Sequence, residues 1–93
     1  MRKVFRYEFK VQDNFSIQMP VGAEILHVNT QKNQPCLWAL VDPKARAETR
    51  WFRVLGTGHA ISEEYVSLGD YVGTFFLYDK SFVGHLFVDG SVK

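Results

Sequence analysis

Phe5-Arg6-Tyr7-Glu8-Phe9-Lys10-Val11 alternates apolar and charged side chains without a slip. Successive side chains of an extended chain point to opposite faces. Phe5, Tyr7, Phe9 and Val11 therefore share one face, and Arg6, Glu8 and Lys10 share the other. Such a segment is a strand with one side on a core and one side in water. The same period recurs just downstream. Phe15, Ile17 and Met19 alternate with Ser16 and Gln18 after a turn at Gln12-Asp13-Asn14, where Asp and Asn can satisfy backbone groups locally. These first two strands are expected to pair as a hairpin.

Further along, Pro20-Val21-Gly22 interrupts the pattern and a strand is predicted from about Glu24 to Gln31. Lys32-Asn33-Gln34-Pro35 reads as a turn. Cys36-Leu37-Trp38-Ala39-Leu40-Val41 is apolar on both parities, which predicts a central strand covered on both faces. Asp42 to Ala47 is a polar excursion, and the next strand runs from about Thr49 to Leu55. Ser62-Glu63-Glu64-Tyr65 has the form of one helical turn capped by Ser62, with its glutamates at the positive end of the helix dipole. Strands from Tyr71 to Tyr78 and from Phe82 to Val88 are joined by Asp79-Lys80-Ser81 as a hairpin. Gly69, Gly73 and Gly84 interrupt this apolar region, where glycine permits a bend, a bulge or close approach of another backbone. The expected fold is mostly β: a small antiparallel sandwich or barrel of about seven strands, with at most one short helical turn. Residues 1–93 form a single domain, with 89–93 as a loose polar tail.

Composition narrows what such a domain does. The chain has 93 residues, 46% of them apolar, including eight Phe, four Tyr and two Trp. A few buried aromatics remove enough area from water to build a core in so short a chain. Eleven Lys/Arg oppose ten Asp/Glu, a net charge of +1. Binders of long nucleic acids draw affinity from a basic excess that is missing here, so no long nucleic acid is expected as a partner. A small anionic ligand needs only one or two Arg. The single Cys36 excludes an internal disulfide and a four-Cys zinc site. Charges interrupt the first ten residues and no segment has the length of a membrane span, so neither a signal peptide nor a membrane location is expected. The cytoplasm of the expressing cell is the expected address.

Gly56-Thr57-Gly58-His59 is the most distinctive local feature. Consecutive backbone N–H groups in a glycine-permitted loop can converge on an anion, and His59 adds a donor. The same residues also fit a tight turn or bulge. Arg53 and Trp51 share a face of the strand leading in, while Arg50 points the other way. An Arg beside a Trp offers a stacking platform for a flat ligand, and Trp38 is a second candidate for stacking. The ligand-binding set read from the sequence is thus Arg53, Gly56, Thr57, Gly58, His59, Trp51 and Trp38. His27, His59 and His85 stand on separate elements without short spacing, so no metal or other cofactor is expected. His85 reads as a hydrogen-bonded strand histidine and Cys36 as a buried structural thiol. Nucleophiles and bases lack motif spacing, which points to a non-enzymatic protein.

Pro35-Cys36-Leu37-Trp38-Ala39-Leu40-Val41-Asp42, Phe52-x-x-x-Gly56-Thr57-Gly58-His59 and Tyr71-Val72-Gly73-Thr74-Phe75 resemble a family of short uncharacterised proteins encoded by bacteriophages and prophages. Tyr7-x-Phe9, Ile17-x-Met19-Pro20 and Ala23-x-Ile25-Leu26 extend the resemblance over most of the chain. It implies no catalytic residues. It does imply a phage accessory binding protein, a host-takeover or anti-defence factor acting on a host protein or a small anionic nucleotide-like ligand in the host cytoplasm. The alternative is a structural or assembly part of the virion. Seven short strands leave unpaired edges, so a homo-oligomer is expected.

Overall fold

The computed structural model describes residues 1–58 and 68–89. His59, the helical turn expected at 62–65 and the tail from 90 onward lie outside the described residues. Seven strands account for most of the rest: β1 (Lys3–Glu8), β2 (Asn14–Pro20), β3 (Glu24–Gln31), β4 (Gln34–Val41), β5 (Ala47–Gly56), β6 (Leu68–Leu77) and β7 (Phe82–Asp89). They form two antiparallel sheets, ordered β1-β4-β3 and β2-β5-β7-β6. The arrangement is a sandwich, not a closed barrel. No helix among the described residues is long and apolar enough to cross a membrane.

The hairpin expected between the first two strands does not form. β1 pairs with β4, from Lys3 opposite Val41 to Glu8 opposite Cys36, while β2 pairs with β5 in the other sheet. The reason lies in the connection. Phe9 and Phe15 are both buried and stack at 4.7 Å with ring planes 10° apart. Phe15 in turn stacks on Phe52, and Phe9 meets Phe75 edge-on at 5.7 Å. Placing the two strands in opposite sheets lets Tyr7 and Phe9 face one core with Phe15, Ile17 and Met19, while Phe5 and Val11, expected on the same face, stay exposed.

Inner faces supply that core: Met19, Val28, Leu37, Ala39, Val41, Phe52, Val54, Phe75, Leu77 and Leu86 are all buried. β4 is the centre of its sheet, yet it is not covered on both faces throughout. Leu37, Ala39 and Val41 point inward and are buried, whereas Trp38 and Leu40, on the outer face, are only half-buried. Cys36 is the outward residue that is fully covered. Its Sγ donates to Gln34 O and accepts from Arg6 Nη1, both at 3.3 Å, as suits a structural thiol. Arg6 also reaches Glu8 at 3.1 Å, and these bonds, that to Cys36 foremost, hold its guanidinium more firmly protonated than usual.

Two hairpins carry left-handed residues. The β3–β4 turn is Lys32-Asn33, both at positive φ, between the paired Gln31 and Gln34. That is the signature of a type I′ loop, one pair tighter than the four-residue turn expected there. The β6–β7 turn places Tyr78, Asp79 and Lys80 at positive φ, closed by Ser81 N donating to Tyr78 O at 3.0 Å. Asn33 Oδ1 accepts from Tyr78 N at 3.1 Å, tying the tips of the two hairpins together across the sheets. Gly73 and Gly84 allow close approach, though of side chains and not of a second backbone: Val28 faces Gly73, and the Phe75 ring covers Gly84. Asp89, expected to open a loose tail, is instead the buried last residue of β7.

Candidate functional site

Trp51, Arg53 and Leu55 lie on the outer face of β5, because Phe52 and Val54 between them enter the core. Across the ladder, Arg53 stands opposite Phe87 and Leu55 opposite His85. On the far side of β7, His85 is opposite Thr74 and Phe87 is opposite Tyr71. In a regular strand Tyr71 and Thr74 would point to opposite faces, being an odd number of residues apart. The register of β6 slips between Tyr71 and Gly73. This bulge restores the phase and brings both hydroxyls to the outer face, a re-aiming that bulges commonly perform beside functional sites.

The result is a continuous row of hydrogen bonds. His85 Nε2 bonds Thr57 Oγ1 at 2.8 Å and His85 Nδ1 bonds Thr74 Oγ1 at 2.9 Å. Thr74 Oγ1 is bonded further to the Tyr71 hydroxyl. The row runs along an open depression of about 440 Å3. Leu55, Gly56, Gly58 and Phe87 complete its described lining. The Tyr71 and Phe87 rings sit 5.3 Å apart, tilted, and Tyr71 is largely exposed. Pockets of this size with an apolar wall and a few convergent polar groups are the usual form of a small-ligand site.

Only part of the sequence-derived set meets here. Gly56, Thr57 and Gly58 line the depression, and Gly58 takes the positive φ of 82° expected of a glycine turn. His59 lies outside the described residues. Trp51 is half-buried on the same outer face. Arg53 is almost fully buried, its Nη1 at 4.0 Å from Asp89 Oδ2, with side-chain exposures of 7% and 2%. Its charge is thus balanced within the fold and not turned toward solvent. Trp38 belongs to the other sheet, where it packs beside His27 at 6.2 Å on the opposite surface of the molecule. His27 and His85 are accordingly far apart in the topology. Among the described residues no three His, Cys, Asp or Glu side chains gather as a metal site would require.

Residues 1–92 match the family model of a domain of unknown function, DUF7352. The chain belongs to the DUF7352 family. Comparison with curated proteins and with solved structures gave no match. Within this DUF7352 domain, sequence reasoning missed His85, Thr74 and Tyr71 as one site. The signal that could have found them is Gly73, since a glycine inside a strand marks a bulge, and a bulge changes which neighbours share a face.

Proposed function

We propose that this DUF7352 domain is a non-catalytic binding protein whose ligand contacts the outer face of β5, β6 and β7. The observation that carries this reading is the networked row Thr57–His85–Thr74–Tyr71 along an open, aromatic-walled depression. Polar side chains ordered by one another at a concavity are prepared to meet a ligand without further loss of rotamer freedom. Both nitrogens of His85 are engaged by threonine hydroxyls, so neither threonine has the carboxylate-backed base that activates a nucleophile in hydrolytic triads. The resemblance to phage and prophage proteins supports an accessory role against a host component, a host-takeover or anti-defence factor in the host cytoplasm.

The test is an amide NMR experiment on the labelled protein, titrated separately with the small-molecule and the macromolecular fractions of a bacterial extract. Shifts centred on Thr57, Thr74, His85 and Phe87, and absent in Tyr71→Ala, support the reading. Shifts confined to another surface, or none with either fraction, overturn it.

A structural role in the virion has separate support in β1. This strand lies at a sheet edge, with Val4 and Phe5 exposed at 55% and 37%. An exposed edge of that kind pairs readily with another chain, and it is where a homo-oligomer would form. Light scattering that gives a monomer mass at tens of micromolar removes this second reading.

A further inference from the structure

We infer that the depression on β5–β7 takes an uncharged heteroaromatic ring carrying both a hydrogen-bond donor and an acceptor, of which a nucleobase is the type, rather than an anion. The inference rests on the proposed binding role and follows from counting the protons in the row.

Neutral imidazole has one N–H and one lone pair. If Nε2 carries the proton, it donates to Thr57 Oγ1, whose own hydrogen is then free to point into the depression. Nδ1 must accept from the Thr74 hydroxyl, and Thr74 Oγ1 accepts from Tyr71. The Tyr71 hydrogen is committed inward, so that end can only accept from a ligand. If Nδ1 carries the proton, every bond reverses. Thr74 donates to Tyr71, the Tyr71 hydrogen becomes free, and Thr57 gives its hydrogen to Nε2 and can only accept. In either tautomer of neutral His85 the row offers one donating end and one accepting end. The tautomer merely exchanges them.

The row is therefore matched to a ligand that is itself mixed. An oxyanion offers acceptors alone and satisfies one end only. A purely apolar ring satisfies neither. A neutral heteroaromatic ring with a donor and an acceptor satisfies both, the orientation in which it binds selecting the tautomer, and its faces suit the Tyr71 and Phe87 rings that wall the depression. Base–aromatic contacts of this kind tolerate different bases because every base has a π-face. Arg53, the cation nearest in the ladder, is buried against Asp89, and among the described residues no Arg or Lys lines the depression for a phosphate to meet.

The test compares adenosine and cytidine with benzoate and toluene as probes at pH 8, by amide NMR on the wild-type protein. A second observation follows the 15N shifts of His85, which report its tautomer. The nucleosides are expected to move Thr57, Thr74 and His85 with at least tenfold higher affinity than benzoate or toluene, and to drive His85 toward a single tautomer. Thr74→Val keeps the shape of the side chain but cuts the row between His85 and Tyr71. It is expected to lower nucleoside affinity about tenfold and to abolish the tautomer response. Benzoate binding as tightly as the nucleosides, or nucleoside binding unchanged in Thr74→Val, overturns the inference and leaves the binding role standing. If the extract experiment moves the same resonances and the nucleosides do not, the ligand class is wrong. If neither moves them, the binding role itself fails.

Discussion

Replacing Gly84 by alanine tests how tightly the core is closed. Gly84 is buried in β7, opposite Phe75 on one side and Gly56 on the other. A Cβ at Gly84 would lie 2.5 Å from Phe75 Cζ, 2.9 Å from Cε1 and 3.0 Å from Cε2. Ordinary carbon contacts need roughly 3.5–4.0 Å. The ring cannot easily retreat, because Phe75 is fully buried, meets Phe9 edge-on and contacts Phe82 at 6.3 Å. Overpacking of a core usually costs ~1–3 kcal/mol. Three overlaps against an enclosed ring place Gly84→Ala toward the upper end, about 2–3 kcal/mol. For a domain of this size each kcal/mol lowers Tm by about 4–8 °C, so a fall of roughly 10–20 °C is expected. Thermal unfolding followed by circular dichroism measures it. Phe75→Leu should cost about 1–2 kcal/mol alone through the space it empties. The double variant should then lose less than the sum, with a coupling of about 1–2 kcal/mol, because the new methyl occupies that space. A Tm for Gly84→Ala within about 2 °C of wild type, or strict additivity in the double variant, refutes the reasoning.

Two further outcomes are expected. Asp89→Ala removes the carboxylate that stands 4.0 Å from the buried Arg53 guanidinium and should cost about 1.5–3 kcal/mol in urea unfolding. Glu24→Ala, which breaks the exposed Arg2–Glu24 pair at 3.6 Å, should cost less than about 0.5 kcal/mol; equal losses would show that the buried pair carries no special weight. Burial pushes the Tyr7 phenol above its ordinary value near 10, so the folded state holds that proton more tightly than the unfolded chain does. The resulting stability is whole below the unfolded value and lost as pH rises through the folded one. Wild type should therefore lose stability more steeply than Tyr7→Phe in the alkaline range, and parallel curves would contradict the assignment.

The strands were legible because a two-residue period is set by backbone geometry alone. It told which side chains share a face: Trp51 with Arg53, and Phe52 with Val54, exactly one residue out of phase with them. The β6–β7 hairpin was legible because its partners are adjacent in the chain. Pairing between distant strands was not. Nothing in the alternation of Phe5 to Val11 says that β1 must lie beside β4, since that choice is made by how Phe9 and Phe15 stack once both sheets exist. Half-burial of Trp38 escaped for a related reason: an apolar residue on both parities signals a central strand, but among the described residues no third layer covers the outer face of the three-stranded sheet. The site was half legible. Gly56, Thr57 and Gly58 came from their own composition, whereas His85, Thr74 and Tyr71 depend on a register slip, and Arg53 on a partner that only the folded ladder brings near.

The division of strands between the sheets also orders events during synthesis. β1, β3 and β4 all precede Asp42, so the three-stranded sheet has every one of its members as soon as β4 leaves the ribosome. β2 emerges among them but belongs to the other sheet, and its partner β5 begins only at Ala47. At roughly 5–20 residues per second, β2 waits on the order of seconds beside a nascent sheet whose apolar face is still uncovered. Phe15 and Met19 are already made by then, and in the finished fold Phe15 stacks on Phe9 just beyond β1. A strand made early for a layer completed late thus spends that interval without its own hydrogen-bonding partner.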